Sequence, residues 1–454
     1  MASIVQKNKS YYVVYSYHDK DGKRKQKWES FPNMTDAKKR LKEIEYKEQI
    51  GTFVVPRCNT LDELLKEYVD LYGKEKWSLS TYSAHIALIE HYIRPQIGSM
   101  KISDINTLII DRYYKTLLKT KAVPKAGQKV SKKYLTPRTV YEIHKILRSC
   151  FNQAVKWEIM SKNPASNATV PKSESAKREI WTAETLFNAL QLCEDPRLAM
   201  AMNLAFCCSL RMGELLGLTW DCIDISEESI RSGTPSVYVK KELQRVSRKG
   251  MNELDNKDVL QQFPTASAKS STILVLKKPK TESSVRKVFM PVAVAQMLIE
   301  WKKTQDDTIE MLGSEYQNYN LVFAGPFGLP TEGSTITNAL NRLIKEHDLP
   351  PVVFHSFRHA SITYKLKMNG GDIKAVQGDS GHAQVKMITD VYSHILDDDR
   401  KNNAQLFQEA FYDRVPQQEQ TPITLPEGIT TETLVKMLQD PEIAALLGVL
   451  SKKL

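Results

Sequence analysis

The hydrophobic positions of this chain fall into three stretches of different rhythm. In the first, Tyr11 to Tyr17 (YYVVYSY) is dense in aromatic and β-branched side chains and reads as a strand. Asp21-Gly22 supplies a hairpin turn, and Lys25 to Phe31 returns. The spacing then becomes helical. Thr35 reads as the cap of a helix running to about Gln49, with Leu41, Ile44 and Ile50 as its apolar contacts. Gly51 to Asn59 has neither rhythm and reads as a linker.

The second stretch is helical throughout. Thr60 to Glu63 has the form of a capping box, and Leu61, Leu64, Leu65, Tyr68, Val69 and Tyr72 follow at helical spacing. A second helix spans Ser80 to Tyr92 and halts near Pro95 and Gly98; a third spans Ile105 to Leu118. Thr136-Pro137 opens a fourth, with proline at the first helical position and an apolar face of Val140, Ile143, Leu147, Cys150, Phe151 and Ala154. These stripes read first of all as a core. The basic loop Lys119 to Lys133 between the third and fourth helices has the charge to follow a DNA backbone.

Asn163 to Arg178 is polar and aperiodic, carries two prolines, and reads as an interdomain linker. Beyond it helices and strands mix. Helices are predicted over Ala183 to Leu192, Arg197 to Cys208, Glu214 to Leu218, Thr335 to His347, Phe357 to Met368, Ile373 to Gln377 and Met387 to Tyr392. Strands are predicted over Ser236 to Lys240, Thr272 to Leu276 and Arg286 to Met290. Glu242 to Ser271 is long and polar and is expected to be an irregular, exposed insertion.

Composition is that of a soluble globular protein of several domains, with 41% hydrophobic and 26% charged residues over 454 positions. No apolar run approaches the ~20 residues that span a bilayer. The start MASIVQKNKS has no apolar signal core, so export is not expected. Cys58, Cys150, Cys193, Cys207, Cys208 and Cys222 include no C-x-x-C pair, which argues against a zinc ribbon or disulfide framework and for a reducing cytoplasm. The net charge of +11 changes the picture more, because it favours a polyanionic partner. Lys20, Lys23, Arg24, Lys25 and Lys27 crowd the predicted turn and second strand, where they would either lie in a DNA groove or stay solvated.

Four local patterns carry candidate chemistry. In CSLRMGELLGLTW (Cys208 to Trp220), Arg211 and Glu214 are three apart and would share a face of a helical turn, the carboxylate orienting the guanidinium; a surface ion pair is the ordinary alternative. In PKTESSVRKVFMP, Lys280 would project from a hairpin tip between two strands and could protonate a leaving oxygen, with Lys277 and Lys278 as competitors. In HSFRH, His355 and Arg358 lie one turn apart and could engage one phosphate. His355 and His359 also have a metal-ligand spacing, but Ser356 stands where H-E-x-x-H needs glutamate. Finally, Gly381-His382 is followed by Tyr392, a tyrosine placed to attack a phosphate, although Tyr364 and Tyr412 look equally plausible in isolation. A tyrosine, with a reference pKa of about 10, needs a cationic pocket and a proton acceptor to act as nucleophile.

The ordered set of Arg, Lys, His-x-x-Arg, Gly-His and Tyr resembles the tyrosine recombinases of the phage-integrase type. The three-part layout looks most like the integrases of conjugative transposons and temperate phages of Gram-positive bacteria. The resemblance implies a small three-stranded β plus helix arm-binding domain at 1–58 and an all-α core-binding domain at 60–165. It implies a mixed α+β catalytic domain at 178–412, with the insertion at 242–271, and a C-terminal tail at 413–454. The catalytic residues it implies are Arg211, Lys280, His355, Arg358, His382 and the nucleophile Tyr392, with Glu214 supporting Arg211. Three departures are visible: SLRMGE stands where TGLRxGE is usual, QGDSGH replaces the commoner LGH form, and the insertion at 242–271 is larger than in minimal family members.

The implied activity is metal-free and cofactor-free DNA cleavage and rejoining through a 3′-phosphotyrosine and a Holliday junction. The implied partners are double-stranded attachment-site DNA and three further protomers in a tetramer, with an excisionase and a DNA-bending host protein as candidate additions, and no membrane. The expected location is the bacterial cytoplasm, at the nucleoid. The amphipathic stretch within Glu427 to Leu454 would pack on its own domain or on a neighbouring protomer. Two other activities fit part of the pattern: a type IB topoisomerase-like nicking-closing enzyme, and a DNA-binding regulator that never cleaves.

Overall fold

The computed structural model of the chain describes residues 2–7, 10–18, 24–49, 58–124, 133–172, 180–265, 267, 269–381 and 439–441. At the front, β1 (Ser3–Lys7), β2 (Ser10–His18) and β3 (Arg24–Phe31) form an antiparallel sheet in that order. Val14 of β2 is paired with Ser3 on one side and Trp28 on the other. Val13 and Tyr15, two apart and so on one face of β2, are buried with Ala37 and Ile44 of the helix Met34–Gln49. Asn33, not Thr35, caps this helix, its Oδ1 accepting the Asp36 N–H at 2.8 Å. The predicted turn at Asp21-Gly22 lies outside the described residues.

The second stretch folds as its caps dictate. Thr60 accepts the Glu63 N–H at the head of the helix Leu61–Glu67 (3.3 Å), and Asn106 accepts that of Ile109 at the head of Thr107–Leu117 (3.1 Å). Thr136 does the same for Thr139 before the helix Pro137–Lys156 (3.3 Å). The helix Leu79–Leu88 runs on as a π-type coil, Ile89–Gly98, which passes Pro95 and stops at Gly98 as expected. Leu61, Leu65, Ile93, Ile110, Leu147 and Phe151 are among the side chains that this core removes from solvent entirely.

Six further strands make two three-stranded antiparallel sheets. They are β4 (Ile223–Asp224), β5 (Ser236–Val239), β6 (Glu242–Ser247), β7 (Val259–Gln262), β8 (Thr272–Lys277) and β9 (Arg286–Phe289), ordered β4-β5-β9 and β6-β8-β7. The helices Pro196–Cys207, Val292–Leu312, Gly333–Glu346 and His355–Met368 join the first sheet in one core, which includes Leu204, Val237, Val288, Leu298, Leu340 and Phe357. Among the described residues no helix is long and apolar enough to cross a membrane.

Two expectations are overturned here. Glu242 to Ser271 is not irregular throughout: it forms β6, the helix Arg248–Glu253 and β7, with Leu243, Val246, Met251, Leu254 and Phe263 buried, and leads into β8. Along β8, Ile273 and Val275 enter the core of the helical stretch, whereas Leu274 and Leu276 face that of the mixed α/β stretch. The central strand β8 therefore packs on both faces, and its successive side chains divide between the two cores. Met251 and Leu254 add to the helical side, Lys74 Nζ lies 3.2 Å from Glu253 Oε2, and a Cβ at Gly250 would fall 2.5 Å from Ser83 Oγ. Secondly, β8 and β9 belong to different sheets, so Lys280 sits in a crossing loop and not at a hairpin tip. The predicted helix from Met387 to Tyr392 and the amphipathic face of the tail lie outside the described residues.

Candidate active site

Cys208 closes the helix Pro196–Cys207, and the next residue, Ser209, takes a φ of +53°. This left-handed conformation costs a non-glycine residue about 1–3 kcal/mol, and the surroundings have to impose it. Here they do: Ser209 is fully buried, its Oγ lies 2.7 Å from Ser361 Oγ, and its carbonyl accepts from Arg358 Nη1. The position is the one where glycine is usual in the motif, so the Ser361 contact offsets the missing freedom. The reversal buries Leu210 and leaves Arg211 as the residue before the short helix Met212–Leu216. Arg211 and Glu214 thus do not share a helical face. Glu214 instead reaches back from the third helical position, accepting the Arg211 N–H at 3.0 Å and Arg211 Nη1 at 2.6 Å.

Glu214 is the hub of the site. Its side chain is 2% exposed, and three guanidinium groups converge on it. Arg286 Nη1 and Nη2 donate to Oε1 and Oε2 at 3.2 and 3.0 Å, and Arg358 Nη1 stands 3.9 Å from Oε2. Burial works to raise the Glu214 pKa, but the hydrogen bonds and charge of Arg286, with the charge of Arg211, hold it below the usual carboxylate value. Arg358 is 1% exposed and donates to the carbonyls of Ser209 and Ser380. Burial, then the charge of Arg211, push its pKa down to about 9, which leaves it cationic at neutral pH.

The remaining candidates are placed as follows. His355 opens the helix His355–Met368 that also carries Arg358, and it is exposed. Its ring meets that of His359 edge-on, with centroids 4.7 Å apart. Lys280 lines an open groove of about 500 Å³ together with Lys240, Lys241 and Lys278. Its charge reaches His85 of the helical stretch, whose pKa is pushed down to about 4 by burial, then by Lys145, with a smaller contribution from Lys280. Lys277 points elsewhere: it is 2% exposed and pairs with Glu242 at 3.1 Å. His382 and Tyr392 lie outside the described residues. The structure therefore brings Arg211, Glu214 and Arg358 together and puts Lys280 in a lysine-lined groove.

Arg286 is the residue that sequence reasoning missed. In β9 the exposures alternate, Arg286 and Val288 inward, Lys287 and Phe289 outward. An arginine on the inward register of a strand needs a buried partner, and that was the available signal.

Comparison with known proteins gives the same outline. Residues 262–399 match the phage integrase family, residues 60–118 the phage integrase N-terminal SAM-like domain, and residues 3–47 an arm DNA-binding domain. A protein named tyrosine recombinase XerC-like, from Caldanaerobacter subterraneus subsp. tengcongensis, is 25% identical over 421 residues, covering 90% of this chain and 98% of that one. The ICEBs1 integrase of Bacillus subtilis is 26% identical over 272 residues, 60% of this chain and 65% of its own length. Among solved structures, the Tn1549 transposon integrase in complex with a circular intermediate DNA superposes with a TM-score of 0.58 at 18% identity, covering 77% of this chain and 100% of that one, and so shares the fold. With its catalytic, SAM-like and arm segments each matched, the chain belongs to the phage integrase family of tyrosine recombinases.

Proposed function

We propose that this chain is the site-specific recombinase of a bacterial mobile element, which cuts and rejoins DNA strands through a 3′-phosphotyrosine intermediate. The observation that carries this reading is the buried Glu214 carboxylate with Arg211 and Arg358 drawn toward it, in a family member that has both DNA-binding segments. Phosphoryl transfer needs positioning and charge stabilisation above all, and two guanidinium groups can clamp the non-bridging oxygens of one phosphate. Arg211 is one-third exposed and held by Glu214 through Nη1, which supports that role. Arg358 is fully buried and would have to exchange a carbonyl partner for a phosphate oxygen.

In the proposed step, Tyr392 Oη attacks the scissile phosphorus as the bond from phosphorus to the 5′-oxygen breaks. His355 takes the tyrosine proton, Lys280 gives one to the departing 5′-oxygen, and His382 hydrogen-bonds the phosphate. The covalent link conserves the bond energy, so the 5′-hydroxyl of a partner strand can attack it and reseal. Two rounds among four protomers exchange the strands through a Holliday junction. Residues 1–58 would bind arm-type sites, 60–165 and 178–412 would grip the core site, and the tail at 413–454 would link protomers. An excisionase and a DNA-bending host protein would set direction, at the nucleoid in the cytoplasm.

The test uses two duplexes carrying a sequence that the wild-type chain selects from a random DNA pool. A recombinase yields exchanged products. A topoisomerase-like enzyme relaxes supercoiled plasmid without exchange, and a regulator does neither.

A further inference from the structure

Arg286 lies on the inward register of β9, and its guanidinium makes four hydrogen bonds. Nε donates to the Asp379 carbonyl (2.6 Å), at the end of the helix Ile373–Ser380, and Nη1 donates to the Ser284 carbonyl (2.9 Å). Nη1 and Nη2 together fork onto the two Glu214 oxygens. One planar group thus joins β9, the loop that carries Lys280, the end of a helix, and the carboxylate that holds Arg211. The packing is tight on the far side as well, since a Cβ at Gly381 would fall 3.1 Å from Arg286 Nη1.

A buried ion pair is poor evidence for stability, because desolvating two charges consumes most of what their attraction returns. An apolar side chain at an inward β9 position would serve packing as well. The arrangement does accomplish something an apolar residue could not. Glu214 has two oxygens to satisfy, and Arg286 supplies a donor to each. Arg211 then commits only Nη1 of its side chain to the carboxylate, and no other partner is recorded for its Nε and Nη2 among the described residues. Without Arg286, the buried carboxylate would draw further Arg211 donors inward, away from where a phosphate would lie.

We propose that Arg286 is a positioning residue for strand cleavage: by saturating Glu214 it keeps the outer edge of the Arg211 guanidinium available to the scissile phosphate. This rests on the recombinase reading. Arg286 touches no reacting atom and acts through Glu214 and Arg211.

The test is the single-turnover rate of covalent adduct formation by the full chain, on a nicked duplex built on the selected sequence. It is read beside the duplex Kd and thermal unfolding. Arg286→Gln lowers the rate about 10–100-fold, the scale of a misplaced catalytic group, while Kd changes less than about twofold. Arg286→Lys keeps one charge on Glu214 but cannot fork, and recovers part of the lost rate. It also tests the idea should Arg286→Gln fail to fold: a merely structural role predicts a rate that tracks the folded fraction, whereas positioning predicts a slower rate in a fully folded variant. Wild-type rates in both variants, or losses matched by loss of folding or binding, overturn the proposal. No adduct from wild type would instead overturn the recombinase reading, and this proposal with it.

Discussion

The backbone and the side chain of Arg211 bind one and the same carboxylate, that of Glu214, at 3.0 and 2.6 Å. The two contacts fix the helix start and the guanidinium together, so that the backbone turn at Ser209 and the direction of Arg211 are one structural fact. An exposed Arg-x-x-Glu pair would be worth little. This one has its acidic member buried against two more arginines.

Glu214→Gln removes the anion and leaves the Arg286 and Arg358 charges uncompensated in the interior. The expected loss of unfolding free energy is about 3–5 kcal/mol, the usual cost of breaking a buried pair on one side. Urea denaturation of the two proteins measures it. A loss below about 0.5 kcal/mol would place the pair in the surface class.

The same comparison has a pH signature. The folded pKa of Glu214 lies below its ordinary value of 4.5, so its ionised form is the one the fold stabilises. The stability this contributes is full above the unfolded value and is lost as pH falls through the lowered folded value. The gap between wild type and Glu214→Gln should therefore be constant from neutral pH down to about pH 5 and close only below that. A gap that closes between pH 6 and 7 would mean that the folded pKa is raised.

Lys277 and Lys280 separate by role. Lys277→Ala should cost stability, because it strands Glu242 inside the β6-β8 pair, whereas Lys280→Ala should leave unfolding unchanged and slow cleavage about 10²–10⁴-fold as a lost general acid. A substrate with sulfur in place of the 5′-bridging oxygen has a leaving group that needs no proton and should restore the Lys280→Ala rate. Failure of that rescue would remove Lys280 from the proton-donor role.

Met251 tests the two-faced sheet. Met251→Ala should cost about 2–5 kcal/mol, as a core truncation does. An exposed irregular insertion would lose under about 0.5 kcal/mol.

Much of this fold is legible in the sequence where an element is long and buried along one face. The helix Pro137–Lys156 announces itself by Thr136, Pro137 and a face of six apolar residues. The helix Val292–Leu312 does not, because its buried residues, Val294, Ala295 and Leu298, all lie in its first two turns and the rest is half-buried or exposed. The strand β1 is almost wholly exposed, so it shows no alternation. The insertion misleads for a third reason: β6, its helix and β7 are six, six and four residues long, too short for Leu243, Val246 and Met251 to display a period. The site divides the same way. That Arg211 and Glu214 meet is legible in their spacing, though not that Glu214 reaches back to a residue before the helix, whereas Arg286, seventy-two positions away from Glu214, is joined to it by the tertiary fold alone.

The central claim is that Tyr392 attacks DNA, and covalent trapping tests it most directly. A nicked duplex built on the selected sequence loses the fragment carrying the 5′-hydroxyl on cleavage, so any phosphotyrosine link persists. After digestion, mass spectrometry of the adduct from the wild-type chain should find the nucleotide on Tyr392, and Tyr392→Phe should give no adduct. An adduct that survives in Tyr392→Phe, or one that maps to Tyr364 or Tyr412, would contradict the account.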